Sequence, residues 1–95
     1  MGSVVIKPST KKDKKMMAIF ENGNKKKTVH FGSAGMDDYT LKGDKEQKKR
    51  YRQRHKKDKL NVADSAGSLS WNILWGNTTS RRENIKEYKK KFNLK

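Results

Sequence analysis

Three groups of side chains in this sequence have types and spacings that can do chemistry. The largest is cationic: Lys25-Lys26-Lys27, then Lys48, Lys49, Arg50, Arg52, Arg54, His55, Lys56 and Lys57, then Arg81 and Arg82. Like charges held this close repel one another, and bound phosphates relieve the repulsion while releasing the counterions condensed on a nucleic acid. Phosphate binding is therefore the expected chemistry, and the bland alternative is a solvated charged face. Arg50, Arg52 and Arg54 follow one another at steps of two, about 200° around a helix, so only some of them can meet one strand. The second group is aromatic. Tyr39, Tyr51 and His55 are candidates for stacking on bases. Tyr51 reads better as the anchor of its segment, and Trp71 and Trp75, four apart beside Ile73 and Leu74, read as core. The third group is His30, His55 and the adjacent carboxylates Asp37 and Asp38, whose order of hairpin, loop and helix suggests a metal-dependent nuclease. The details weigh against it: neighbouring residues point apart, no further His or Asn follows at ligand spacing, and the surrounding lysines disfavour a bound cation. Asp37 and Asp38 are better read as caps or as partners of the basic helix. Gly32-Ser33-Ala34-Gly35 lacks the ending of a phosphate-binding P-loop, and no Ser, His and acid form a recognisable triad. No catalytic residue, cofactor or metal is expected.

The elements that must position these residues can be read in order. Val4-Val5-Ile6 before Pro8 predicts a short edge strand, and Lys11-Lys12-Asp13-Lys14-Lys15 a charged turn, so that residues 1–15 form a strand and basic arm ahead of one compact domain over 16–95. Met16 to Glu21 and Lys27 to Phe31, separated by a segment containing Asn22-Gly23, predict a tight hairpin with Lys25 to Lys27 where it emerges. Gly32 to Gly35 ends the second strand, and a loop runs to Lys42-Gly43. Asp44 caps a cationic helix from Lys45 to about Lys57, whose only large hydrophobe is Tyr51. Asp64-Ser65 caps the segment Ala66 to Trp75, which Gly76-Asn77 stops and whose Leu69, Trp71, Ile73, Leu74 and Trp75 should be largely buried. Ser80-Arg81-Arg82-Glu83 matches a capping box, and Ile85, Tyr88 and Phe92 then recur at helical steps. The fold class expected is α+β: a small antiparallel sheet on the 16–31 hairpin, which Val4 to Ile6 can join as a further strand, followed by two to three helices.

Composition narrows the function. In 95 residues, 25 Lys and Arg stand against 10 Asp and Glu, a formal net charge of +15, and the hydrophobic content of 31% allows one small core. The absence of Cys excludes disulfides, thiolate metal sites and cysteine nucleophiles. No apolar run is long enough for a membrane span or resembles a secretory leader, so a membrane partner and secretion are not expected. Met1-Gly2-Ser3 has the first residues of an N-myristoylation signal, but Ile6 stands where that signal needs Ser or Thr.

The segments His30-Phe31-Gly32-Ser33-Ala34-Gly35-Met36-Asp37-Asp38-Tyr39-Thr40, Lys49 to His55 and Ala66 to Trp75 together carry a resemblance. From about Lys15 to Phe92 the chain resembles a family of small basic proteins of unassigned role encoded by large and giant double-stranded DNA viruses. It departs from that pattern around Leu41-Lys42-Gly43-Asp44, where the family places a histidine before Lys-Asp. The resemblance implies a viral protein located in the virion or in the nucleus or cytoplasm of the infected cell. Two functional readings follow. In the first, the protein binds nucleic acid, DNA in preference to RNA, through phosphates and without sequence specificity, compacting a genome; its surface is Lys48 to Lys57, with Lys25 to Lys27, Arg81 and Arg82 as a second face. In the second, it is a minor capsid or cement protein that contacts acidic surfaces of other virion proteins, with Val4 to Ile6 adding a strand to a neighbour's sheet. Anions or self-association as a homo-oligomer should stabilise so small a core.

Overall fold

A computed structural model describes residues 2–58 and 60–95; Met1, which begins the myristoylation-like start, and Lys59, at the end of the cationic stretch, lie outside the described residues. Three antiparallel strands, β1 (Ser3–Pro8), β2 (Lys14–Asn22) and β3 (Lys25–Ser33), form one sheet in the order β1-β2-β3. The helices follow: a single turn α1 (Tyr39–Lys42), the cationic α2 (Lys45–His55), α3 (Ala66–Leu69) continuing without a break into a π-helical turn (Ser70–Leu74), and α4 (Arg81–Lys91). This is the α+β architecture that the sequence predicts.

Alternation along the strands sorts the sheet into two faces. Val4, Met16, Ala18 and Phe31 are buried on one face, with Ile6, Phe20 and Val29 partly buried beside them. The pairing Val4↔Phe20, Ile6↔Ala18, Ala18↔Val29 and Met16↔Phe31 keeps these side chains in one layer. Leu69, Ile73, Leu74, Trp75 and Tyr88 from the helices close over them. The predicted edge strand is thus built into the sheet: Val4 is 2% exposed, and its N–H donates to the carbonyl of Lys95.

Four details differ from the sequence reading. The hairpin turns on Gly23-Asn24, since Asn22 pairs with Lys25, and of the two central residues only Gly23 has a positive φ, 62°. That is the pattern of a turn with glycine in its first central position, so Asn22 ends the strand instead of opening the turn. The stretch between Gly35 and Gly43 is not all loop, because Asp38 caps α1 by accepting from the Thr40 N–H. The Ala66 to Trp75 segment is not one α-helix: the Trp75 N–H donates to the Ser70 carbonyl at 3.0 Å, five residues back. The widened turn brings Ile73, Leu74 and Trp75, three consecutive residues, into the core together and leaves Trp71 half-buried. Ser80 caps α4 by accepting from the Glu83 N–H, while its own N–H donates to Thr78 Oγ1, so the reciprocal half of the capping box belongs to Thr78.

Candidate nucleic-acid interface

The cationic helix is held by one buried face. Asp44 accepts from the N–H groups of Glu46 and Gln47, satisfying the free donors that any helix start exposes. One turn from the other end, the Tyr51 ring stacks on Trp75 at 4.4 Å and 8°, and on its second side His55 stacks at 4.3 Å. Burial, reinforced by the charge of Asp58, pushes the Tyr51 hydroxyl up to about 12, so it stays neutral at any physiological pH. His55 Nδ1 meets Asp58 Oδ2 at 3.0 Å. The Arg52 guanidinium makes two hydrogen bonds to the Trp75 carbonyl, at 3.2 and 2.9 Å, and lies 4.8 Å from the Trp71 ring centre. The sequence reading of Tyr51 as an anchor fits this arrangement. Arg52 and His55, expected as phosphate contacts, are half-buried and hydrogen-bonded to Trp75 and Asp58, His55 at the surface and Arg52 while still lining the groove described below.

The start of α1 supplies a second fixed point. Asp38, 1% exposed, accepts from Lys15 Nζ at 2.5 Å, from Arg81 Nη2 at 3.3 Å and from both the N–H and the hydroxyl of Thr40. Burial alone would raise its carboxyl; the hydrogen bonds from Lys15 and Thr40 and the charges of Lys15 and Arg81 outweigh it and hold the group below its ordinary range. Arg81 also donates to Thr40 Oγ1 at 2.9 Å, so it ties α4 to α1 and the sheet. Asp37 turns outward to Lys42 at 3.7 Å, and the two adjacent carboxylates therefore diverge. The two histidines diverge as well. His30 alternates with the buried Phe31 and bonds Ser9 through Nδ1 at 2.7 Å on the outer face of the sheet, whereas His55 stacks on the core side. Among the described residues no three His, Asp or Glu side chains gather as a metal would require.

What remains outward is a row. Lys45, Lys48, Lys49, Arg52 and Lys56 recur at the three- and four-residue steps that share one helix face, and they line an open groove of about 540 Å³ together with Tyr39, Gln53 and Asn77. Among the described residues no carboxylate lines it. Lys45, Lys49 and Lys56 are exposed and form no ion pair among the described residues, whereas Lys48 lies over the Tyr39 ring at 4.6 Å. Burial and then the charges of Arg52 and Lys45 lower the Lys48 ammonium below its ordinary pKa, the direction expected where cations crowd one another. Tyr39, a candidate for base stacking, is 7% exposed and covered by Lys48. Arg50 and Arg54 are exposed on another side of α2, and Arg54 borders a second groove of about 350 Å³ with Tyr51 and His55. Lys57 follows the helix end and is exposed. Lys25, Lys26 and Lys27 are exposed at the hairpin tip, with Lys26 3.9 Å from Glu21 and Lys27 2.9 Å from Asp64; Arg82 is exposed on the first turn of α4. Lys45 and Asn77 were not among the residues expected at the site; the spacing of 45, 49, 52 and 56 carried the signal for Lys45.

The strands and the cationic helix lie within one recognisable unit. Residues 4–55, more than half of the chain, match a single family profile from the second residue of β1 to the last residue of α2. The chain belongs to DUF5754, a family of unknown function. The DUF5754 match takes in Lys15, Asp38 and four of the five row cations, and stops before Lys56 and the Trp71-containing segment. No curated protein and no solved structure matches the chain.

Proposed function

We propose that this protein binds nucleic acid through the phosphate backbone, duplex DNA in preference to RNA, without reading sequence and without catalysis. The observation that carries the reading is the groove on α2, where five cations share one helix face and no carboxylate compensates them. From Lys45 to Lys56 the row runs about 16 Å, which at one phosphate per ~3.4 Å of each DNA strand passes about five phosphates. Charge count and length therefore agree. The cations fall into two kinds: Lys48 and Arg52, fixed by Tyr39, Trp71 and the Trp75 carbonyl, set the register, while Lys45, Lys49 and Lys56 are exposed for contact. Contacts of this kind position a protein on a duplex but do not distinguish bases. The resemblance to proteins of large DNA viruses makes a viral genome the duplex we assign to it.

A binding titration tests the reading. Labelled duplex DNA, single-stranded DNA, RNA, heparin and an acidic polypeptide are compared at physiological salt. Duplex affinity at least tenfold above the other polyanions is expected. Equal binding to all of them would reduce the charge to generic attraction, and preference for the acidic polypeptide would favour a role in cementing virion proteins.

A further inference from the structure

A second hollow adjoins the α2 groove. About 280 Å³ in volume, it lies between the π-helical turn, which gives it Trp71 and Asn72, and α4, which gives it Glu87 and Lys91 one turn apart. Arg52 and Asn77 line both the hollow and the groove, so the two meet at these residues. Its wall at Gly76 is bare backbone, because a Cβ there would lie 2.2 Å from the Asn72 carbonyl oxygen and 2.8 Å from Asn84 Cγ. The chemistry of this pocket differs from that of the cationic row. Asn72 Nδ2 donates to the Ser68 carbonyl at 2.7 Å, a partner that only the nitrogen of an amide can take, so Oδ1 is the open end and meets no donor among the described residues. The exposed Glu87 carboxylate forms no ion pair among the described residues. Beside these two acceptors, the Arg52 guanidinium, tied to the Trp75 carbonyl, lies 4.8 Å from the ring centre of the half-buried Trp71. A surface that only grips phosphate has no use for acceptors, and a carboxylate on it would repel the strand. Open acceptors next to a stacked ring and guanidinium suit a flat ligand that carries N–H donors.

We propose that this pocket takes one unpaired nucleobase bearing an exocyclic amino group, from a strand whose phosphates lie on the α2 row. The inference rests on the binding mode proposed above and deepens it. Bases stack on aromatic rings and on guanidinium planes, and carboxylate and amide oxygens accept from the amino groups of adenine, cytosine and guanine, which thymine lacks. In a paired duplex each base is stacked and its Watson–Crick edge is occupied, so the paired tract stays unread. A bulged or overhanging base is different, because no pairing has to be broken before it can enter. The volume, just under the ~300–1,000 Å³ of small-molecule sites, suits a single base. Arg52 is the link between the two hollows, reaching phosphate on one side and base on the other.

Binding to matched duplexes tests this. A fully paired duplex is compared with the same duplex carrying one bulged 2-aminopurine, or one bulged thymine, and with the free 2-aminopurine nucleotide. The wild-type protein is expected to bind the 2-aminopurine bulge about tenfold more tightly than the paired duplex and about threefold more tightly than the thymine bulge, and to quench the 2-aminopurine emission as the base stacks. Glu87→Ala, at an exposed position, should bind the paired duplex no more weakly than wild type, which also reports that it is folded, and lose both preferences. Equal affinity for the three duplexes, or preferences that survive in Glu87→Ala, would overturn the proposal. Free nucleotide bound as tightly as the bulged duplex would overturn it too, assigning the pocket to a soluble ligand. Wild-type protein that binds no duplex at all would remove the phosphate reading and this one with it, whereas a paired duplex bound without any preference for the bulge removes this one alone.

Discussion

Asp38 is a residue on which contacts from three elements converge. It is fully buried, its pKa lies below the ordinary value of 3.8, and it joins β2, α1 and α4 through Lys15, Thr40 and Arg81. A carboxyl with a depressed folded-state pKa contributes stability that is fully present above its unfolded value and is lost as pH falls through the folded one. Urea midpoints should accordingly decline as pH falls below about 4. Replacing Asp38 by Asn leaves Lys15 buried without its partner, and the expected loss is about 3–5 kcal/mol at neutral pH. The gap between wild type and Asp38→Asn should narrow as pH falls through the folded pKa; a gap independent of pH would detach the stability from the charge. Lys48 makes a prediction of the opposite kind. Its ammonium is depressed by burial and by Arg52 and Lys45, so a phosphate placed in the groove should raise its pKa. Titration of the Lys48 side chain by NMR, with and without duplex, reads this directly, and no upward shift would place the DNA elsewhere.

At the scale of elements, strands and helix starts were legible because local chemistry decides them. Asp44, Ser65 and Ser80 cap where their side chains predict, and the period-two and period-four patterns placed the strands and the faces of α2 and α4. The turn residue, α1 and the π turn were not, because each depends on partners distant in sequence. Asp38 closes α1 only with Lys15 and Arg81 around it, and the π turn forms where three consecutive apolar residues must reach the core. Asn84 illustrates the same limit. Polar in a basic helix, it reads as a surface residue, yet it is 0% exposed, donating to the Ile73 and Thr78 carbonyls and accepting from the Thr78 N–H and hydroxyl. Asn84→Ala would leave these groups unsatisfied and should cost about 1–3 kcal/mol in thermal or urea unfolding. Gly32 couples β3 to the π turn. Its φ is 77° and a Cβ there would lie 2.5 Å from Leu74 Cδ1, so Gly32→Ala should lower the melting temperature through both strain and overlap. Unaltered melting would mean that the contact between sheet and π turn is looser than described. As for the candidate site, a cationic helix over α2 was legible from charge alone, whereas the hydrogen bonds and stacking that engage Arg52, His55 and Arg81 were not, since they depend on Trp71, Trp75, Asp58 and Asp38 standing next to them.

Over the whole molecule, a net charge of +15 on 95 residues opposes compactness, and the carboxylates are used where they hold the fold: Asp38 under α1, Asp44 at the start of α2, Asp58 beside His55 and Asp64 against Lys27. Among the described residues the α2 groove is left without one, and in the binding mode proposed above phosphates supply the missing charge. The most direct test is the salt dependence of duplex binding for the wild-type protein and for Lys45→Ala/Lys49→Ala/Lys56→Ala, three exposed positions whose truncation removes no internal contact described above. If the five row cations each neutralise a phosphate, the logarithmic slope for wild type should be about −4 to −5, and it should become shallower by about 2.7 in the variant. A variant with the wild-type slope and affinity would contradict the account.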